Sequence, residues 1–220
     1  VTTAQVRTPS ATPGARPAWR GAAGARLAWL HARSRRVPGA VLALAVCAAV
    51  LHAALRWNWT FNSGKLAQQV PMLIEAGAAA AVVVTTHSPF GEPERAGGRW
   101  LPYLRLGTAL ALTGLAIGVV QIGVTGMNLD GGVVQIARNV IGITGIGLLC
   151  SLATGGLLAW VIPMGYVAFA QYALAEAWRS PWIWPVRPPG DHGAWICAGL
   201  VFLAGLLAFT VRGARQSIRD

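Results

Sequence analysis

Seven acidic side chains and four histidines are all that the 220-residue chain offers for acid–base or metal chemistry, so their spacing decides what they could do. Glu92 and Glu94 form the one close carboxylate pair, in a Pro/Gly-rich stretch beside Arg95 and Arg99. Two carboxylates can divide general acid and general base roles, but next to two arginines this grouping reads as a solvated charge cluster. His31, His52, His87 and His192 are scattered, and no HExxH is present to seat a zinc ion. His52 stands alone in an apolar run and reads as a packing residue. Neither a phosphate-cradling GxxxxGKS/T loop nor a GxSxG nucleophile elbow occurs. Cys47, Cys150 and Cys197 lie singly in apolar runs, as small buried hydrophobes do, without a CxxC. The expectation is a protein that is not an enzyme, with no catalytic residue, no cofactor and no metal.

The polar residues with a stronger claim to function are those inside apolar runs: Glu75, Gln121, Asn139 and Gln171. A carboxylate at the centre of a bilayer costs about 2.5–3.5 kcal/mol on insertion scales, so Glu75 should lie near the outer interface or face a helix bundle's interior. Glu75, Gln121 and Asn139 are the candidate lining of a substrate path. The simpler role for the amides is helix–helix hydrogen bonding, which averages about 0.6 kcal/mol.

Such residues need helices to position them, and the composition supplies these. Apolar residues make up 55% of the chain and charged ones 11%, with a mean hydropathy of +0.52. A soluble domain carries about 25% charged residues. The chain therefore cannot cover a globular surface, and it is neither disordered nor a disulfide scaffold. The net charge of +11 comes from seventeen Arg and one Lys, Lys65, against seven acids. These arginines gather at the ends of apolar runs, where they anchor helices at an anionic leaflet rather than bind nucleic acid.

Six helices follow from the runs. Arg36 to Arg56 encloses 19 uncharged residues, and Trp57 and Trp59 come next. At 1.5 Å per residue that spans about 28 Å, close to the roughly 30 Å of a bilayer core. Ser34-Arg35-Arg36 and Leu44-Ala45-Val46-Cys47 are weak matches to export and lipoprotein signals, so the first helix is expected to be retained. A second run covers roughly 69–87, with the Ala76–Ala81 block suited to tight packing. A third, of 24 uncharged residues, lies between Arg105 and Asp130. Its Gly114 and Gly118 form a GxxxG, with Gly107 one heptad earlier, which predicts close helix approach. Arg138 and Glu176 bracket 37 uncharged residues, too many for one straight span. Thr154-Gly155-Gly156 and Pro163 break that stretch into helices near 139–157 and 159–177. Trp178, Trp182, Trp184 and Trp195, interleaved with four prolines, mark 178–195 as an interfacial loop. A last run extends from Gly193 to Val211.

With the N-terminus inside, six helices put thirteen basic residues inside and five outside, as the positive-inside rule requires. Five helices would give twelve and six, so the length of 139–177 decides for six. The fold class is thus all-α: a polytopic integral membrane protein of the cell membrane, with six transmembrane helices and cytoplasmic N- and C-termini. Residues 1–37 form a basic, partly disordered arm with room for an interfacial helix near 17–34. Residues 38–212 form the transmembrane domain and 213–220 a cytoplasmic tail.

This layout resembles the membrane (permease) subunits of ABC-type exporters of the type-2 permease class, those of actinobacteria in particular. Three segments carry the likeness: Gly91-Glu92-Pro93-Glu94-Arg95-Ala96-Gly97-Gly98-Arg99 after the second helix, Arg138-Asn139-Val140-Ile141-Gly142-Ile143-Thr144-Gly145-Ile146-Gly147-Leu148 opening the fourth, and Trp184-Pro185 before the sixth. The resemblance covers most of 38–212. It implies a subunit that forms a homo- or heterodimer with another membrane subunit, sits in membrane lipid, and docks on a separate ATP-binding subunit. The loop 87–105 would be the docking element, with Glu92, Glu94, Arg95 and Arg99 as its contacts. Residues 178–195 depart from the pattern, being too proline-rich for the re-entrant helical pair expected there. The alternative reading is an integral membrane protein without transport, an assembly, regulatory or immunity factor. A third is an intramembrane enzyme or proton-coupled carrier built on Glu75.

Overall fold

The computed structural model describes residues 33, 36–56, 66–86, 101–126, 132–155, 158–178 and 180–212. The basic arm, the proposed docking residues Glu92, Glu94, Arg95 and Arg99, and the tail fall outside these residues. Among them the chain is helical: α1 Val37–Arg56, α2 Leu66–Val84, α3 Leu101–Gly123, α4 Gly132–Thr154, α5 Val161–Ala175 and α6 His192–Arg212, with a single 3-10 turn at Trp184–Val186 before α6.

Four of the boundaries have a local cause. Pro38, Pro102 and Pro163 sit in the first turns of α1, α3 and α5, where the missing N–H is no loss. α4 stops at Thr154 because Gly155 takes a left-handed conformation with φ of 80°. The reversal predicted at Thr154-Gly155-Gly156 is therefore present, and α5 begins at Val161. Two starts differ from the sequence expectation. α3 begins before Arg105, and α4 begins at Gly132, six residues ahead of Arg138. An arginine next to an apolar run predicts a helix boundary because its charge belongs in water. In α4 the Arg138 guanidinium instead finds carbonyl acceptors inside the protein, so the helix continues through it.

The helices alternate in direction. At one end, the loop end, His52 of α1 meets the Gly123 carbonyl of α3, Gln171 of α5 reaches the Gln69 carbonyl of α2, and Gln135 of α4 reaches the Pro185 carbonyl. At the other, the terminal end, Leu106 and Ala109 from the start of α3 pack with Leu206 and Phe209 from the end of α6. The start of α1, the end of α2 and Trp160 before α5 meet at that same end. α2, α4 and α6 consequently run parallel to one another and antiparallel to the other three.

α4 is the central helix: its most apolar stretch is 61% buried, against 28–33% for α1, α3 and α6. It packs most closely on α6. A Cβ on Gly145 would lie 2.5 Å from the Phe202 Cα, and one on Gly205 would lie 2.5 Å from the Gly145 carbonyl oxygen. Only glycine permits that approach. The expected GxxxG contact is not of this kind. Gly107, Gly114 and Gly118 of α3 face open space, since α3 turns Ala109, Leu112, Ala116 and Val120 inward instead.

The outer surface is apolar. Ile196, Leu200, Leu203, Leu207 and Val211 form an exposed stripe along α6, and Leu42, Val46 and Val50 do so on α1. A contiguous apolar surface of this extent suits lipid and not water. α1, α3, α4 and α6 are each long and apolar enough to cross a membrane, and α2 and α5 are shorter apolar helices. The chain is a helical membrane protein by these measures.

Candidate functional site

Four buried polar residues, Glu75, Arg138, Asn139 and Thr144, lie on α4 or against it, between its middle and the loop end. Glu75 stands in the middle of α2, where α2 lies parallel to α4, and is 2% exposed. Met72, Ala76 and Ala79 beside it pack against Ile143 of α4, which brings the two backbones together. Across that contact the Asn139 Nδ2 donates to Glu75 Oε2 at 2.8 Å, with Asn139 fully buried. Of the two positions expected for Glu75, interface or bundle interior, the structure selects the interior. It also joins Glu75 and Asn139, two of the three candidate path residues.

Gln121, the third, is not in this contact. It lies half-buried in the last turn of α3, and its carbonyl accepts the Val124 N–H and the Thr125 hydroxyl at the helix end. The antiparallel course of α3 takes it to the loop end instead. Gln171 ties α5 to the Gln69 carbonyl of α2 at 3.5 Å. His52, on the exposed side of α1, meets the Gly123 carbonyl of α3 at 3.2 Å.

The residue next to Asn139 was missed as a site residue. Arg138 is fully buried and donates from Nη1 to the Pro188 carbonyl at 2.7 Å and from Nη2 to the Arg187 carbonyl at 2.8 Å. These bonds bind the Pro/Trp-rich segment 180–191 to α4. Gln135 adds a bond to the Pro185 carbonyl at 3.2 Å, and the Tyr166 hydroxyl of α5 donates to the Trp182 carbonyl at 2.8 Å. Trp184 is 3% exposed and lies against Tyr166, with ring centroids 4.8 Å apart and the rings tilted by 38°. Asp191 then fastens the segment to α6, accepting the Ala194 N–H at 3.0 Å and pairing with Arg187. These donors hold the Asp191 carboxyl below the usual carboxylate range, the Ala194 N–H first and the Arg187 guanidinium second. The available signal was the placement of two polar residues, Arg138 and Asn139, against a glycine-rich apolar run. It shows that α4 carries polar groups but not that carbonyls 50 residues away would receive them.

Asn139 Oδ1, Arg138 Nε and Trp184 Nε1 are buried without a hydrogen-bond partner. Burying such a group unpaired costs about 1–3 kcal/mol. A carboxylate, an amide with an open acceptor and an adjacent guanidinium can together take up a proton or hold a polar group of a passing solute. The three cysteines are free thiols, Cys150 buried and Cys47 and Cys197 half-buried. Among the described residues no group of three His, Cys, Asp or Glu is placed to hold a metal ion. No protein-family model, curated protein or solved structure matches the chain.

Proposed function

We propose that this protein is the membrane-spanning permease subunit of an ABC-type exporter, working in the cell membrane with a separate ATPase subunit. In this reading all six helices cross the bilayer, the terminal end is cytoplasmic, and the subunit pairs with a second membrane subunit. One observation carries the reading. The alternating helices bring the end of α2, the starts of α1 and α3 and the end of α6 to the same end of the bundle. This supports a reading in which the charged connection 87–100, the basic arm and the tail lie on one side of the membrane, within reach of a single cytoplasmic ATPase.

The proposed mechanism needs a lever. Glu92, Glu94, Arg95 and Arg99 belong to the connection that follows α2 directly, and Glu75 lies on α2 itself. Displacement of that connection by the ATPase would shift α2 against α4 and load the Glu75–Asn139 hydrogen bond. Glu75 and Asn139 then meet the solute's polar groups as the α2–α4 contact slides.

Co-purification tests the reading. The full chain, expressed with the products of its neighbouring genes, should carry a nucleotide-binding partner through two affinity steps. Reversing the charges of Glu94 and Arg95 should abolish transport while leaving the melting temperature unchanged. Labelling of single cysteines should place both termini on the cytoplasmic side. Termini on opposite faces, or a chain that never associates with an ATPase, would overturn the proposal. The second case leaves a non-transport assembly, regulatory or immunity factor. The buried Glu75 also favours a proton-coupled carrier. Transport that proceeds without any ATPase and stops in Glu75→Gln would support that alternative.

A further inference from the structure

At the terminal end, α1 and α2 part on the outside of the bundle and leave a groove of about 440 Å³. Small residues make up most of its walls, Gly39 and Ala43 of α1 with Gly77 and Ala80 of α2, and Val84 and Thr85 at the end of α2 complete them. Pockets that hold small molecules span about 300–1,000 Å³, so this one has the capacity for a ligand of that class. Its mouth is different in kind. Arg36, exposed and just ahead of α1, stands there with Trp160, which is 42% exposed just ahead of α5.

Arginine and tryptophan at helix ends mark the level of lipid headgroups. From Arg36 to Ala43 is seven residues, so the groove reaches roughly 10 Å below that level along α1. The Arg36 guanidinium has no hydrogen-bond or ion-pair partner among the described residues. The described acids lie elsewhere, Glu75 inside the bundle and Glu176 and Asp191 at the loop end. A zwitterionic headgroup would bring a cation along with its phosphate, whereas an anionic headgroup answers the charge without one.

We propose that this groove binds one anionic phospholipid, its phosphate on Arg36 and one acyl chain along Gly39, Ala43, Gly77 and Ala80. The site goes beyond the permease reading. It needs neither an ATPase nor transport, so each reading can fail without the other.

Native mass spectrometry of the full chain in mild detergent tests it, with phosphatidylglycerol and phosphatidylcholine of identical acyl chains as probes. The wild type should retain phosphatidylglycerol in preference. Arg36 has φ of 56°, a left-handed backbone that glycine adopts freely, so Arg36→Gly removes the charge without straining the chain. That variant should bind phosphatidylglycerol about fivefold more weakly, the factor for one basic residue at an anionic surface. Arg36→Lys should keep the preference. Gly39→Leu, whose new side chain meets open space on the protein side, should weaken both lipids by filling the groove. Equal retention of the two lipids by the wild type, or a preference that survives Arg36→Gly, would sink the proposal. So would a lipid-free dimer that Gly39→Leu dissociates, since the groove would then seat a second copy. Unchanged melting temperatures across the variants show that each retains the fold.

Discussion

The indole of Trp184 fills the space that a side chain on Gly142 would need: a Cβ there would lie 2.6 Å from Cε2 and 2.7 Å from Cζ2 and Nε1. The helix and the proline-rich segment meet through a missing methyl group. Gly142→Ala should therefore push Trp184 off its seat and cost about 1–3 kcal/mol, the range for overpacking a tight contact. Gly114→Ala on α3 is the matched control, because its Cβ would meet nothing within 4 Å. Thermal melting in detergent should show a lower midpoint for the first and no loss for the second.

Arg138 is expected to hold the segment 180–191 in place through its two carbonyl bonds. Hydrogen bonds to a charged group are worth about 1.5–3 kcal/mol. Arg138→Met should leave the Arg187 and Pro188 carbonyls unanswered, and hydrogen exchange should quicken across 183–191 while α1 and α3 stay protected. Arg138→Lys should recover only part of the protection, since a compact ammonium does not reproduce the planar fork that reaches both carbonyls. Equal exchange in wild type and Arg138→Met would show that the other contacts suffice.

Glu75 and Asn139 should behave as a coupled pair. Glu75→Gln keeps an acceptor for Asn139 Nδ2, so the melting temperature should hold. Glu75→Leu leaves both polar atoms of Asn139 buried without partners and should cost about 1–3 kcal/mol. A double-mutant cycle with Asn139→Leu should give a coupling near the average of about 0.6 kcal/mol for such bonds in membranes, with about 1.7 kcal/mol as its ceiling. A solute path through this pair predicts loss of transport in Glu75→Gln with the fold intact.

The Asp191 contact should weaken in acid. Its carboxyl is held below its ordinary value by the Ala194 N–H and the Arg187 guanidinium. A group whose pKa is lower folded than unfolded stabilises the fold above the unfolded value, near pH 4, and loses that contribution as pH falls through the folded value. Wild type should therefore melt above Asp191→Asn at pH 7, and the gap should close below about pH 4. A gap that persists unchanged to pH 2 would exclude the ion pair and the cap as its source.

What could be read from residues alone follows from which forces are local. Apolar runs bounded by Arg36, Arg56 and Arg212 gave α1 and α6 almost to the residue, because lipid demands length and charge ends it. Gly155 gave the reversal after α4, because a positive φ is a local requirement. The start of α4 was misplaced because Arg138 is satisfied by carbonyls 49 and 50 residues away. The GxxxG of α3 misled for a related reason. Spacing shows that close approach is possible, but the partner helix decides whether it happens, and α4 with α6 took that role through Gly145 and Gly205. Glu75 was legible as a residue that must be buried or interfacial, and its partnership with Asn139 required the parallel course of α2 and α4.

The glycine contact between α4 and α6 also limits how the protein can change shape. Around Gly145 and Gly205 the two backbones touch with no side chain between them to yield, so those helices travel as one beam. Any cycle of opening and closing must be accommodated by α1, α2, α3 and α5 moving around that beam, with the capping segment carried along on it.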